Sequence, residues 1–170
     1  MAAGDSVLKP PTEDLVVERL FNAPRERVFD AFTKPEHLRK WWGPKPADVG
    51  VAEFDARPGG KVFIGERYPD GTRVHLAGVV REIERPSRLV FAIHFADERG
   101  ERVSPPIHSG LGAAWDGEIV SHVSFSAEGR GTRVTIRTER SGITAEWSEG
   151  ARLGWGESLD KLDAALASLG

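Results

Sequence analysis

Five histidines are the residues of this chain best suited to bind a metal ion. None has the HExxH spacing of a helical zinc site. Three of them, His75, His94 and His122, fall on consecutive predicted strands, so a three-histidine metal site is one hypothesis. The alternation along these strands, however, places His94 and His122 opposite the aromatic residues, towards solvent. The sequence therefore favours neither a metal site nor a cofactor.

Three carboxylates are candidates for acid–base chemistry: Glu66, Glu82 and Asp116, with His75 as a partner. A carboxyl group desolvated in an apolar cavity has a raised pKa and can exchange protons near neutrality. This set would suit a cyclase- or hydratase-like enzyme. Each residue also has a simpler interpretation as a surface or hairpin residue, and no G-x-S-x-G turn is present. No catalytic residue is assigned, and an enzyme is the less favoured interpretation.

The composition predicts one domain without covalent cross-links. A chain of 170 residues can bury roughly 70% of its unfolded surface in one core. It has no cysteine, which excludes disulfides and thiolate metal sites. The net charge is −3, from interspersed basic and acidic residues, which argues against nucleic acid as a partner. Because the sequence shows neither a membrane-length apolar segment nor a secretory signal, we expect a cytoplasmic protein with no membrane partner.

The strongest structural signal is a long amphipathic helix over residues 144–170. Its apolar residues recur at steps of three and four and therefore share one face. They are Trp147, Ala151, Trp155, Leu159, Leu162, Leu166 and Leu169. Gly150, Gly154 and Gly156 interrupt its first half, where each costs roughly 1 kcal/mol relative to alanine. Close backbone approach, bending or ligand access explains them as well as a loosely formed helix start does.

Upstream of this helix the sequence predicts seven strands and two short helices. Pro24 follows the first strand and begins one helix, and residues 33–36 have the form of a capping box that begins the other. From residue 48 the apolar period is about 2, with turn residues between segments. The predicted strands are 15–21, 48–54, 61–68, 72–84, 88–97, 118–127 and 132–140. Short connections favour an antiparallel meander with its aromatic face against the long helix.

Two segments are expected to lie outside this regular pattern. Residues 1–12 are polar and predict a flexible N-terminal arm, which leaves 13–170 as a single domain. Residues 98–117 have no clear period, and loops of this length in compact domains are often functional or mobile. We hypothesise a lid over one end of a cavity, with Trp115 or Leu111 turned inward. The alternative is a flexible surface insertion.

Several short motifs also occur in a distinctive order along the chain. They are Ala-Pro at 23–24, Val-Phe-Asp-Ala at 28–31, Trp-Trp-Gly-Pro at 41–44, Pro-Asp-Gly at 69–71, Arg-Leu-Val at 88–90 and Gly-Trp at 154–155. This combination resembles the START-like (SRPBCC) superfamily over about residues 15–168, and within it the homologues of the activator of the heat-shock protein 90 ATPase. The resemblance implies an α+β helix-grip fold. In that fold a seven-stranded curved antiparallel sheet carries two short helices after its first strand and a long C-terminal helix across its concave face.

The resemblance also implies a deep apolar cavity, used across the superfamily for lipids, polyketides and other hydrophobic small molecules. It brings no shared catalytic residues. Strand alternation and the helix stripe select most of the candidate lining residues, Trp41 and Trp42 are expected near one end under the short helices, and Trp115 comes from the lid hypothesis. They are Trp41, Trp42, Phe63, Leu76, Phe91, Ile93, Phe95, Trp115, Val123, Phe125, Trp147, Trp155 and Leu159. The alternative is that these side chains fill an ordinary core, since close-packed interiors need large apolar residues regardless of function.

Three functions thus stay open. The favoured one is binding of a hydrophobic small molecule by a monomer or homodimer. The second is a cyclase- or hydratase-like enzyme that uses the same cavity. The third is an interaction module that stimulates a chaperone ATPase, which the resemblance suggests but which is weakened because the chain has room only for the START-like domain.

Overall fold

The segments of period 2 form one seven-stranded antiparallel sheet, and the segments of period 3.6 form three helices. These elements come from a computed structural model that describes residue 11 and residues 13–168. The strands are β1 (Leu15–Phe21), β2 (Asp48–Phe54), β3 (Lys61–Arg67), β4 (Arg73–Glu84), β5 (Arg88–Ala96), β6 (Ile119–Glu128) and β7 (Gly131–Thr138). The helices are α1 (Arg25–Thr33), α2 (Pro35–Trp41) and α3 (Ala145–Leu166). The predicted α+β helix-grip fold is confirmed; Leu169 and all of the predicted arm except residue 11 lie outside the described residues.

The sheet is an open meander of β2 to β7, to which the first strand is added beside the last. Its order is β1-β7-β6-β5-β4-β3-β2, so β1 and β2 are the two edges. Leu15 lies opposite Thr138 in the β1–β7 pair. Register shifts interrupt β2 between Val49 and Val51 and β4 between Val80 and Glu82. Bulges of this kind bend a strand and increase its twist, which supports the curvature of the sheet.

The two short helices connect the opposite edges of the sheet and close one end of the core. Phe29 of α1 packs edge-on against Phe125 of β6, with ring centroids 5.1 Å apart. Phe32 contacts the same ring at 5.2 Å. Trp41 is fully buried, and its indole N–H donates to the carbonyl of Ala31 at 2.8 Å. This end of the molecule is densely filled with aromatic side chains.

The capping box predicted at residues 33–36 is wrong. Thr33 is the last residue of α1, and its hydroxyl donates to the carbonyl of Phe29 at 3.0 Å. Lys34 is the N-cap of α2, and its side chain makes no capping hydrogen bond. The residue before a proline is biased towards extended backbone, so Pro35 makes Lys34 the break between the two helices.

The long helix α3 lies across the sheet and begins at a side-chain cap. The hydroxyl of Thr144 accepts from the backbone N–H of Trp147 at 3.1 Å, as an N-cap residue does. Leu159, Leu162 and Leu166 are buried on its sheet-facing side, as the stripe predicts. Among the helices of residues 13–168, none is both long and apolar enough to cross a membrane.

Candidate functional site

A cavity of about 500 Å³ separates the first half of α3 from the concave face of the sheet. Its walls come from strands β3 to β6, the β3–β4 turn, the segment between β5 and β6, the segment after α2, and α3. On the sheet side and the β3–β4 turn they are Glu66, Tyr68, Asp70, Thr72, Val74, Leu76, Phe91, Ile93, Phe95, Ile119 and Ser121. The other lining residues are Trp42, Gly43, Pro44, Pro106, His108, Ser109, Trp147, Gly150, Ala151, Gly154, Trp155 and Ser158. Most of this surface is apolar, and its exposed members, such as Asp70 and His108, mark the opening to solvent.

The helical wall of the cavity is one face of α3 on which two tryptophans alternate with small residues. Trp147, Gly150, Ala151, Gly154, Trp155 and Ser158 follow the spacing of one helical face. A Cβ atom added at Gly150 or Gly154 would meet no atom within 4 Å. The helix is continuous through both positions. Close packing of the backbone therefore does not account for these two glycines, and both border the cavity.

Seven of the predicted lining residues face the cavity. They are Trp42, Leu76, Phe91, Ile93, Phe95, Trp147 and Trp155. The indole of Trp155 is 5.6 Å from that of Trp42 in an edge-on arrangement, and Trp42 in turn approaches Phe91 at 6.3 Å. These three rings form an aromatic corner where α3, the segment after α2 and β5 meet.

Five others are packed into the core or beside it. Trp41, Val123, Phe125 and Leu159 are at most 2% exposed and belong to the dry core. Trp115 is half-buried; its ring lies 6.1 Å from that of Phe95, and its indole N–H donates to the carbonyl of Gly142 at 2.9 Å. Trp115 thus lies behind the cavity wall.

The thirteenth residue, Phe63, lies on the opposite face of the sheet. It packs with Ala77 and Ala96 in a separate cluster and stacks on the imidazole of His75 at 5.6 Å. On the same strand, Ile64 belongs to the core and Glu66 lines the cavity. Because Val62, Phe63 and Ile64 are all apolar and all buried, strand alternation alone could not decide which of them faces inward.

The polar part of the cavity is centred on Glu66, which is 7% exposed. One carboxylate oxygen, Oε2, accepts from the indole N–H of Trp42 at 2.9 Å, and the other, Oε1, accepts from the hydroxyl of Tyr68 at 2.9 Å. The sequence suggested Glu66 only as one of three acids, and Tyr68 was missed. The spacing of Glu66 and Tyr68 at i and i+2, on one face of a strand, was the available signal.

Burial raises the pKa of Glu66 above its ordinary value, while the hydrogen bonds from Tyr68 and Trp42 and the charge of Lys161 oppose that shift. Burial and the nearby Glu66 in turn raise the pKa of Tyr68. The ammonium group of Lys161 donates to the carbonyls of Trp42, Pro44 and Ala47 at 3.2 to 3.3 Å. Within the described part of the chain, no lysine or arginine forms an ion pair with Glu66.

The other acid–base candidates do not join Glu66. Glu82 is exposed and pairs with Arg88 at 2.8 Å. Asp116 is exposed in the segment between β5 and β6. His75 lies on the far face of the sheet against Phe63. The structure therefore brings one of the four predicted groups to the cavity.

The three strand histidines do not converge. His94 lies opposite Ala77 on β4, and His122 lies opposite Val90 on β5, several residues further along the sheet. The Nε2 atom of His122 is instead 2.6 Å from the carboxylate of Glu139. Over residues 13–168, no group of three histidine, aspartate or glutamate side chains is arranged to hold a metal ion.

The segment between β5 and β6 borders the cavity and is attached to the start of α3. It contributes Pro106, His108 and Ser109 to the lining. The carbonyl of Gly110 accepts from the hydroxyl of Thr144 at 2.6 Å. Gly110 has φ of 82°, and a Cβ there would lie 3.0 Å from the backbone nitrogen of Trp147. The positive φ and the close approach both require glycine at this position. Leu111 is buried in the core, and the lid itself stays a prediction.

Comparison with known proteins agrees with this architecture. The family model described as "Activator of Hsp90 ATPase homolog 1-like protein" (AHSA1) matches residues 22–167. The chain belongs to the AHSA1 family. The matched residues include both halves of α3 and every strand except β1. No curated protein matches the chain.

Solved structures of other proteins are similar to this chain over nearly its whole length. A crystal structure of a protein from Chromobacterium violaceum has 25% identity and a TM-score of 0.75, and covers 92% of this chain and 98% of its own. The AHSA1 protein from Silicibacter pomeroyi has 25% identity and a TM-score of 0.74, with coverage of 91% and 97%. A solution structure from Staphylococcus epidermidis, at 23% identity and a TM-score of 0.75, covers 95% of this chain and 93% of its own and shows the same fold.

Proposed function

We propose that this AHSA1-family protein binds a small hydrophobic ligand in the cavity between the sheet and α3. The observation that carries the proposal is the contrast within α3: its glycine-containing first half borders a cavity of about 500 Å³, whereas its second half buries Leu159, Leu162 and Leu166. Interiors of proteins are normally packed to the density of organic crystals, so a large apolar void needs a reason. A volume of about 500 Å³ lies within the range of small-molecule sites.

The chemistry of the walls supports an apolar ligand with one polar group. Phe91, Ile93 and Phe95 form a continuous apolar strip on β5, and Trp155 covers it from α3. Ligand pockets typically combine such walls with a few placed polar groups that fix orientation. Glu66 and Tyr68 supply that polar element at one side.

An acid–base enzyme of cyclase or hydratase type has one observation in its favour, the buried Glu66 in the cavity. General acid–base catalysis needs a titrating group within reach of the reacting atoms. Because Glu82, Asp116 and His75 lie elsewhere, no second acid or base of the predicted set accompanies Glu66. Binding without chemistry is the simpler use of this cavity.

Native mass spectrometry of protein purified from its own host tests the proposal. We expect a retained hydrophobic molecule that is released on denaturation. An empty protein that nonetheless accelerates ATP hydrolysis by a heat-shock protein 90 chaperone would contradict the binding function and favour the third alternative.

A matched pair of variants links any binding to the cavity. Trp155→Ala removes an aromatic wall residue, whereas Leu153→Ala changes a neighbour on the same helix that is 75% exposed. With the neutral fluorescent probe N-phenyl-1-naphthylamine, we expect Trp155→Ala to weaken binding and Leu153→Ala to leave it unchanged. Equal effects of the two substitutions would place the probe outside the cavity.

A further inference from the structure

We infer that Glu66 anchors a protonated amine, so that the ligand is a hydrophobic molecule with one cationic nitrogen. This inference rests on the proposed binding function and specifies the chemical class of its ligand. It is carried by three features of the described residues: the hydrogen-bond geometry of the carboxylate, the charges that line the cavity, and the aromatic rings beside the carboxylate.

The carboxylate of Glu66 retains acceptor capacity on the cavity side. Trp42 and Tyr68 each donate one hydrogen bond, one to each oxygen. An ionised carboxylate has about four lone-pair sites, so about two stay available to a further donor. Because Glu66 lines the cavity, a ligand group can reach those sites directly. The two protein donors orient the carboxylate.

The charges of the cavity lining favour a cation. Its titratable members among the described residues are Glu66, Tyr68, Asp70 and His108, and no lysine or arginine belongs to it. Hydrogen bonds from Thr72 lower the pKa of Asp70, which keeps that carboxylate ionised at the opening. A ligand carboxylate or phosphate would meet two acidic side chains in a partly desolvated space, whereas an amine would meet complementary charge.

The charged groups on the neighbouring elements do not supply the missing cation. Lys161 of α3 is the basic residue whose charge acts on Glu66, and its ammonium group donates to three backbone carbonyls. Its pKa is lowered by burial and raised by Glu66, Asp48 and Glu157. Lys161 therefore offsets part of the charge of Glu66 without a direct contact. A buried carboxylate that lacks an ion pair gains most from a ligand that brings one.

Aromatic faces next to Glu66 suit the same ligand group. Trp42 donates to the carboxylate and lies beside Trp155 and Phe91. Indole rings attract cations through their negative faces, and the attraction is stronger where water is excluded. A neutral hydroxyl would gain the hydrogen bond to Glu66 but not this contribution.

Three probes that share one apolar body test the inference by isothermal titration calorimetry. They are 1-naphthylmethylamine, 1-naphthylmethanol and 1-naphthaleneacetate, the anion of 1-naphthaleneacetic acid. For the wild type we expect the amine to bind about tenfold or more tightly than the alcohol, because both donate to Glu66 but only the amine adds a positive charge that the carboxylate and the indole faces attract. We expect the acetate to bind weakest. Glu66→Gln should remove the preference for the amine while it retains binding of the alcohol. The matched control Glu82→Gln, at an exposed carboxylate outside the cavity, should keep the wild-type order.

The pH dependence gives a second readout that a structural role of Glu66 would not produce. Only the ionised carboxylate attracts the amine, so the affinity for 1-naphthylmethylamine should fall as pH is lowered through the pKa of Glu66, while the affinity for the alcohol changes little. His108 and Asp70 also line the opening, and Tyr68 and Lys161 lie beside Glu66. Profiles of His108→Gln and Asp70→Asn should therefore keep the same step if Glu66 causes it.

The outcomes separate this inference from the function on which it rests. Equal affinities of the three wild-type probes, or tightest binding of the acetate, would overturn the amine assignment and leave a hydrophobic binding site in place. Binding of none of the three would count against both. If Glu66→Gln fails to fold, the pH profiles of the wild type and of Tyr68→Phe decide. In both proteins, an amine preference that is lost only at low pH supports the inference, and a preference independent of pH overturns it.

Discussion

The two halves of α3 face the same sheet but differ in what they place against it. In the second half, Leu159 and Leu162 are fully buried and Leu166 is 5% exposed. In the first half, Gly150 and Gly154 face open volume between two half-buried tryptophans. One continuous helix thus serves as a core element at one end and as a cavity wall at the other. The packed half of α3 therefore supplies stability that the open half does not need to supply.

The packed end is filled by residues from distant parts of the chain. Phe29 and Phe32 of α1 meet Phe125 of β6, and Trp41 of α2 closes the cluster from the side. Aromatic pairs in this geometry contribute beyond the area that they bury. At the open end Trp42, Phe91 and Trp155 also meet edge-on, but they leave space beside them.

The largest expected effect is on the packed end. Phe125→Ala should lower the free energy of unfolding by about 3–5 kcal/mol, because it removes the ring on which Phe29 and Phe32 pack. Urea denaturation measures the loss. Where the variant remains folded, its affinity for N-phenyl-1-naphthylamine should match that of the wild type. A loss of stability below about 1 kcal/mol would contradict the division between the two ends.

A reciprocal change at the open end should affect binding and spare stability. Gly154→Leu projects a side chain into the cavity, and its Cβ meets no atom within 4 Å, so we expect probe affinity to fall without a loss of stability. Gly154→Ala is the control: it should raise the free energy of unfolding by up to about 1 kcal/mol through helix propensity and keep binding. Calorimetric titration and urea denaturation on both variants decide the matter, and strong destabilisation by either would show that the volume is not free.

A third effect is a dependence of stability on pH. Burial raises the pKa of Glu66 in the folded state. At pH values between the pKa in the unfolded state and the pKa in the folded state, the folded protein therefore binds more protons than the unfolded protein. The stabilising contribution of the neutral carboxyl is complete at pH values below the unfolded pKa and is lost as pH rises through the folded pKa. Glutamine does not titrate, so the stability of Glu66→Gln relative to the wild type should increase with pH over this window. Parallel urea titrations measure it, and a difference that stays constant or decreases would oppose the prediction.

The smallest effect should come from the surface contact between β1 and α3. Arg19 donates to Asp160 at 2.9 Å and to the carbonyl of Gly156 at 3.3 Å, and both side chains of the ion pair are partly exposed. Arg19→Ala should therefore cost less than about 1 kcal/mol and leave probe binding unchanged. A larger cost in thermal or urea unfolding would mean that this exterior contact, as well as the packed end, holds α3 in place.

The fold could be predicted from the sequence because its signals are local and repeated. The seven strands appear within a residue or two of the predicted bounds, since period and turn residues mark them. The long helix begins one residue after its predicted start and ends at Leu166, before the predicted end at residue 170. Thr33 was misread because a threonine two residues before a proline fits both a cap and the last turn of the preceding helix. The helix break falls at Lys34, directly before Pro35, so Thr33 stays in α1.

The candidate site was less predictable for physical reasons. Phe63 was placed on the wrong face of β3, since its neighbours Val62 and Ile64 are equally apolar and buried. Phe125 and Leu159 have the same residue types and periodicity as true wall residues, and only the volume left between elements separates the two groups. The hydrogen bonds that join Trp42, Glu66 and Tyr68 depend on that same three-dimensional arrangement.

The hydroxyl of Thr144 belongs to two structures at once. It accepts from Trp147 as the cap of α3 and donates to Gly110 in the segment that borders the cavity. Withdrawal of that segment must therefore strip a hydrogen-bonding partner from the helix terminus, and fraying of the first helical turn must loosen the segment. Under the proposed binding function, release of a ligand past this segment would break the hydrogen bond from Thr144 to Gly110, so the residence time of the ligand is expected to depend on Thr144.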